Sequence, residues 1–285
     1  MILWRPSPRR TAGLALGCNG DLERMAEIKI YATPSLLFRY RPLTTKTVER
    51  ELAAIQEGYV FCPRFDDMND PMEGLHRESS LFQKSEDYDD RKVAIEAAIN
   101  SHGIASFSEI HDHEPMWAHY ADGFRGMCVA YRLSRLLSGL PKSVEFVRMA
   151  YSEEAPVLLK GKKTDQQLAK LILSTKTIRW ASEREWRLMR PKAGPAAYEG
   201  PRCVQKVYVG ARIDPDILSQ VRREMGRLGI PVERMRVDQY SIEFEPLAQI
   251  KPPPKPKRLV IRTAPKATAA TAKRVLRKPA KGKVA

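Results

Sequence analysis

At Lys251 the chain loses the means to fold. The run Pro252-Pro253-Pro254-Lys255-Pro256-Lys257 offers neither helix nor ladder, because proline fixes φ and lacks the amide donor. The remainder, to Ala285, is mostly Ala, Thr, Lys, Arg and Pro, too poor in large apolar side chains to offset the entropy of ordering. A compact domain must therefore be built before this point. Residues 1–30 read as an unstructured leader, with Met25 as a candidate start, and residues 31–250 as one folded domain. Residues 251–285 read as a disordered basic tail.

That division also locates the charge. The whole chain carries a net +15, but residues 251–285 hold 12 Lys and Arg with no Asp or Glu. Between residues 31 and 250 there are 32 basic and 31 acidic residues, so the body is close to neutral. A basic isoelectric point thus says little about what the domain binds. The tail is expected to attract nucleic acid nonspecifically, with affinity that falls as salt rises. It has no aromatic side chain to stack on bases, so sequence readout is not expected.

Cys18, Cys62, Cys128 and Cys203 are widely spaced and form no Cys-x-x-Cys pair. Cys62 and Cys128 sit in apolar runs and read as reduced core residues, which suits a cytoplasmic protein. No stretch approaches the length of a membrane span. Arg9-Arg10 before Gly13-Leu14-Ala15-Leu16-Gly17-Cys18 faintly suggests an export signal, but the apolar run is short for one.

The pattern predicts strands at 36–40, 59–62, 104–108, 127–131, 144–151, 185–189 and 204–209, with the last strands between Met235 and Phe244, where Tyr240, Ile242 and Phe244 alternate. Helices are expected after Thr44 up to Gly58, over Ser85–Asn100, over Pro115–Ala121, over Thr164–Lys176, and from Asp214-Pro215 to Met225. Strands and helices mix without a βαβ rhythm. The predicted class is α+β: one domain with a mixed or antiparallel sheet and peripheral helices.

Four clusters carry the chemistry-bearing residues. They are Phe38-Arg39-Tyr40-Arg41, Met68-Asn69-Asp70-Pro71-Met72-Glu73, Ser106-Phe107-Ser108 with Met116-Trp117-Ala118-His119-Tyr120 and Gly126, and Lys176 and Trp180 with Glu183-Arg184-Glu185-Trp186-Arg187. In this order, and with Val207-Tyr208-Val209-Gly210 closing the set, they resemble the bacterial domain of unknown function 2971 over residues 36–210. More distantly, Arg39, Ser106-x-Ser108 and Glu183-x-Glu185 are similar to the Arg, Ser-x-Ser, Glu-x-Glu order of ADP-ribosyltransferases.

That second resemblance implies NAD as a ligand. Glu185 would meet the ribose 2′-hydroxyl and steady a positively charged ribosyl group, and Glu183 would orient or deprotonate a macromolecular acceptor. Arg39 would contact a phosphate or ribose. Ser106 or Ser108 would hold the site, and Tyr40, Trp117 or Tyr120 would stack on a ring. Asn69, Asp70, Glu73, Lys176 and Arg187 complete the candidate set.

Each cluster also has a structural reading. Phe107 departs from the small hydroxyl residue expected between the serines. Glu185 followed by Trp186-Arg187 suits a salt-bridged strand surface, where residues 183 and 185 share a face by alternation. Asp70-Pro71 suits a capped turn. Met116, Trp117 and Tyr120 at helical spacing suit core packing. His111-x-His113 with Asp112 and Glu114, or Asp66, Asp70, Glu73 and His76, lack a metal-ligand spacing and read as solvated loops, so no metal is expected. A non-catalytic ligand-sensing or nucleic-acid-associated module is the alternative function.

Overall fold

The computed structural model describes residues 33–198 and 201–248. The leader, Met25, Cys18 and the tail lie outside the described residues.

In chain order, β1 (Leu36–Arg41), α1 (Val48–Glu57) and β2 (Tyr59–Cys62) come first. After a short 3-10 turn come β3 (Arg77–Glu78), α2 (Ser80–Gln83), α3 (Tyr88–Ser101) and β4 (Gly103–Ser108). Next are α4 (Glu114–Tyr120), β5 (Met127–Arg132), α5 (Leu133–Gly139), β6 (Glu145–Arg148), β7 (Ala150–Ser152) and β8 (Val157–Leu158). The chain continues through α6 (Asp165–Leu173), β9 (Thr175–Thr177), β10 (Glu185–Arg190) and β11 (Gly194–Ala197). It closes with β12 (Val204–Val209), α7 (Pro215–Leu228), β13 (Val232–Asp238) and β14 (Ser241–Pro246).

Eight strands make one sheet in the order β14-β13-β12-β5-β1-β4-β10-β6, antiparallel except where β12 runs parallel to β13. This is the α+β mixed sheet that the pattern predicts. Local signals set the helix ends. Gly58 stops α1 in the left-handed conformation at φ 75°, its amide donating to the Ala54 carbonyl. Asp214 caps α7 by accepting from the amides of Asp216 and Ile217, with Pro215 in the first turn.

Alternation divides the sheet into two faces. Leu37, Phe107, Val129, Trp186, Leu188 and Val207 share a core with α1, α5 and α7. The opposite face carries two separate apolar clusters. Phe38, Tyr40, Cys128 and Tyr208 pack against Met116 and Trp117 of α4, whereas Ile104 and Met189 pack against α3 and α6. Between these clusters the sheet comes apart. β1 and β5 pair along their full length, but β1 and β4 pair only at Phe38↔Ser108. A continued ladder would set Tyr40 opposite Ser106. Instead the Pro63 carbonyl accepts from the Ile104 amide at 2.9 Å, and Arg64 bridges to Gly103. The two strands fork, and the fork is polar.

Several expectations are corrected. The strand expected over 144–151 is two strands in different sheets, broken at Met149, whose amide donates to the Glu185 carbonyl. The helix expected over Thr164–Lys176 ends at Leu173, and Lys176 lies on β9. The helix expected over Ser85–Asn100 begins at Tyr88 behind the separate short turn of α2. Thr44 does not cap α1, which begins at Val48; Thr47 holds the preceding turn by accepting from the Thr44 amide. Tyr240 breaks the expected alternation because it occupies the turn between β13 and β14 and is fully exposed.

Candidate functional site

The fork between β1 and β4 holds a cavity of about 270 Å³. Its lining includes Arg39 and Tyr40 from β1, Ser106 from β4, Asn69 and Glu73 from the loop after β2, Tyr120 from α4, and Lys176, Glu183 and Glu185. Nine of the candidate residues from four distant parts of the sequence thus border one space. Ser106 marks the gap. It is the exposed position on a strand whose other five residues are buried.

At the base stands a buried charged cluster. Lys176 Nζ lies 2.9 Å from Glu183 Oε2, 3.1 Å from Glu185 Oε2 and 3.7 Å from Glu73 Oε1. Arg187 Nε donates to Glu185 Oε1 at 2.8 Å, and Nη1 donates to the Leu173 carbonyl at 2.8 Å. Arg187 Nη2 sits 2.6 Å from Glu73 Oε2, placed as an ion pair rather than a directed hydrogen bond. The Tyr120 hydroxyl donates to Glu183 Oε1 at 2.8 Å, and the Ser106 hydroxyl donates to Glu185. The Tyr151 hydroxyl accepts from the Glu185 amide, and Lys176 lies 4.8 Å from the centre of the Trp180 ring. Three carboxylates face two cations, which leaves the cluster with one excess negative charge.

The titration directions follow from this arrangement. Burial opposes ionisation of Glu185, but Arg187 and Lys176 overcome it and hold the carboxyl below its ordinary value. Burial likewise opposes the Lys176 ammonium, and Glu185 and Glu183 reverse this so that its proton is held more tightly than usual. Glu73 goes the other way: burial raises its carboxyl, only partly offset by Arg187, with Glu185 adding repulsion. Burial and the Glu183 charge raise the Tyr120 phenol.

The Glu183-Arg184-Glu185 geometry differs from an alternating strand. Glu183 ends a 3-10 turn, Arg184 adopts φ 46° and ψ 51°, and β10 starts at Glu185. The two carboxylates meet at Lys176 because the left-handed residue between them reverses the chain, not because they share a strand face.

Four candidates lie outside the cavity. Trp117 is fully buried in the α4 cluster, donates its indole N–H to the His111 carbonyl at 2.7 Å and has no open ring face. Ser108 donates to the Glu183 carbonyl at 2.7 Å and accepts from the Ile110 amide, so it supports the turn that carries Glu183. Asp70 accepts from the Met72 amide at 2.9 Å and shapes the loop that delivers Glu73. Arg187 lies behind Glu185. Tyr40 borders the cavity, but its hydroxyl donates to the Ile110 carbonyl and its ring meets Trp117 edge-on, which fixes it as wall. Arg39 also borders the cavity. Its guanidinium, however, lies on the Phe107 face of the sheet, 5.7 Å over that ring and 2.7 Å from the Phe61 carbonyl, away from the face that bears Ser106.

Sequence reasoning missed Tyr151, whose only signal would have been its contact partner, and the role of His111. His111 is no solvated loop residue, because its ring stacks 4.9 Å from Phe38 and 4.5 Å from Tyr208. Among the described residues no group of three His, Cys, Asp or Glu is placed to hold a metal ion, and no helix is long and apolar enough to cross a membrane.

A family model described as a protein of unknown function (DUF2971) matches residues 116–188. The match takes in Tyr120, Lys176, Glu183, Glu185 and Arg187 but not β1, the loop around Asn69 or β4. No curated protein and no solved structure matches the chain.

Proposed function

We propose that this fork is the donor site of an enzyme that transfers ADP-ribose from NAD. One observation carries the reading: Ser106, Glu183, Glu185 and Tyr120, with Arg39 at the border, line a single cavity where the sheet opens. The volume suits the nicotinamide-ribose half of a dinucleotide, with the remainder extending outward. A buried cluster with one unneutralised negative charge is suited to a ribosyl group that becomes cationic. In the transfer, the bond between nicotinamide and ribose C1′ breaks and its electron pair leaves with nicotinamide. A nucleophilic atom of the acceptor then bonds C1′ and gives its proton to Glu183. Glu185, held ionised by Arg187 and Lys176, steadies the ribose.

A second reading is favoured by a different observation. Every carboxylate oxygen of Glu183 and Glu185 already contacts Lys176, Arg187 or Tyr120. In that case the fork binds a ligand without transforming it. The basic tail is proposed, separately, to hold the protein on nucleic acid.

Thermal melting and nicotinamide release, measured together on the full chain, separate these readings. Transfer requires that NAD raises the melting temperature and that nicotinamide accumulates, with release lost in Glu185→Gln and in Glu183→Gln. Stabilisation without release selects the sensing reading, and no shift in melting with no release ends the NAD proposal. In the same assay, deletion of 251–285 leaves the NAD response intact and removes salt-sensitive binding to duplex DNA. Persistent DNA binding would refute the tail's role.

A further inference from the structure

A second cavity, of about 370 Å³, shares Glu73 and Lys176 with the fork but reaches neither Glu183 nor Glu185. The loop that carries Asp70 and Leu75, residues 153–156 between β7 and β8, and β9 supply most of its wall. Four carboxylates border it, Asp70, Glu73, Glu153 and Glu154, against the cations Lys176 and Arg179. Lys176 is already shared with Glu183 and Glu185, and Glu154 pairs with Arg77 at the surface. Asp70 is served least. It is only 7% exposed; Oδ1 accepts from the Met72 amide at 2.9 Å, and Oδ2 is buried with no hydrogen-bond partner. A buried carboxylate oxygen without a donor is costly. In the same wall, burial raises the Glu73 carboxyl, and Arg187 and Lys176 only partly draw it down. Met72, Leu75 and Ile178, three large apolar side chains left exposed, border the same space.

We propose that this cavity binds an organic cation, a primary ammonium carried on a short alkyl chain, with Asp70 as its main acceptor. The wall has more carboxylates than cations, so a positive ligand is favoured. Among the described residues no group of three is placed to hold a metal ion, which leaves a cation that brings its own donors. Oδ1 is committed to the Met72 amide, so a guanidinium fork cannot take both oxygens freely, whereas an ammonium needs one acceptor at a time. Met72, Leu75 and Ile178 then cover the methylenes. The ammonium comes either from a free alkylamine or from a lysine side chain. Because Glu73 and Lys176 wall both cavities, the site abuts the charged base of the fork. The assignment stands on this geometry and not on any reaction at Glu185.

The test is calorimetric titration of the full chain with butylamine, N-acetyl-lysine amide and ammonium chloride, each against sodium chloride of equal ionic strength. Wild type is expected to bind one equivalent of butylamine saturably, as is the exposed-surface control Glu86→Gln. Ammonium chloride, which lacks the alkyl chain, should bind about tenfold more weakly. Asp70→Asn keeps an acceptor for the Met72 amide but loses the charge, and should bind butylamine about tenfold to a hundredfold more weakly. Two exposed positions guard against a fold-wide effect at Asp70. Glu153→Gln should cost about twofold to fivefold, and Leu75→Ser should weaken butylamine while leaving ammonium chloride unchanged. Tighter butylamine identifies a free amine as the ligand, and tighter N-acetyl-lysine amide identifies a lysine side chain. No saturable binding by wild type, equal binding of butylamine and ammonium chloride, or Asp70→Asn binding like wild type overturns the proposal. If Asp70→Asn fails to fold, unchanged butylamine affinity in both Glu153→Gln and Leu75→Ser overturns it instead. Nicotinamide release is a separate readout: its absence with intact amine binding refutes only the transfer reading, and the converse refutes only the ammonium site.

Discussion

The two faces of the sheet beside β1 solve the same problem in opposite ways. On one face five ionisable side chains, Glu73, Lys176, Glu183, Glu185 and Arg187, are buried together and neutralise one another to within a single charge. On the other, Arg39 is buried almost as deeply with a carbonyl and an aromatic ring as its closest companions. The first arrangement holds together as a unit, and taking one of its two cations away strands the carboxylates. The second has no direct carboxylate partner among the described residues and feels Glu51 only at a distance, so its removal costs the fold little. Burial by itself therefore says nothing about which charges the fold needs; the presence of a partner does.

The sharpest way to break this contrast is Arg187→Met. It leaves Glu73 and Glu185 buried with Lys176 as their common cation, and losing one partner of a buried pair typically costs about 3–5 kcal/mol. Urea unfolding should show a loss of that order, against little or none for Arg39→Met. If the two arginine variants were equally unstable, the distinction between compensated and uncompensated faces would collapse.

Glu73 gives a smaller effect with a signed pH dependence. Its carboxyl is raised in the folded state, so the native protein keeps that proton to higher pH than the unfolded chain does. The resulting stability is present below the ordinary value of 4.5 and is lost as pH rises through the folded value. Glu73→Gln, a neutral stand-in for the protonated acid, should be at least as stable as wild type at neutral pH, and the difference should shrink on acidification. Glu185 has the opposite sign. Its carboxyl is lowered, so its contribution is present above 4.5 and fades as pH falls through the folded value. Glu185→Gln should accordingly flatten the acid limb that Glu73→Gln leaves in place. A Glu73→Gln variant clearly less stable than wild type at pH 7 would mean that Arg187 needs this carboxylate more than the excess charge opposes it.

Much of the compensated face was legible in the sequence, because most of its members fall in two short stretches dense in charge, the acidic Asn69-Asp70-Pro71-Met72-Glu73 and the mixed Glu183-Arg184-Glu185-Trp186-Arg187. Local signals carried the fold class and most helix ends, since Gly58 and Asp214-Pro215 act through their own backbone. What stayed hidden depends on tertiary register. The opening between β1 and β4 arises where a ladder stops after one pair, and no residue in Leu36–Arg41 or Gly103–Ser108 announces it. The face to which Arg39 turns is set by where β1 enters the sheet. Trp117, a plausible stacking ring by composition, is lost to the core because Tyr40 and Phe244 close over it. The break at Met149 likewise reflects a bond to the Glu185 backbone, across a separation that periodicity does not see.

Arg184 offers the finest resolution of how the compensated face is assembled. Its left-handed conformation, φ 46°, turns Glu183 and Glu185 toward the same ammonium, yet its own side chain is exposed and makes no bond that holds the cluster. A residue with a β-carbon gives up about 1 kcal/mol or more in this region, whereas glycine occupies it freely at some cost in unfolded-state entropy. Arg184→Gly should therefore change stability by about 1 kcal/mol or less, in the stabilising direction. Arg184→Val asks the same turn of a β-branched residue and should move stability the other way, drawing Glu183 away from Lys176. If both substitutions left stability unchanged, the turn would be incidental, and the convergence of the two carboxylates would rest on Lys176 alone.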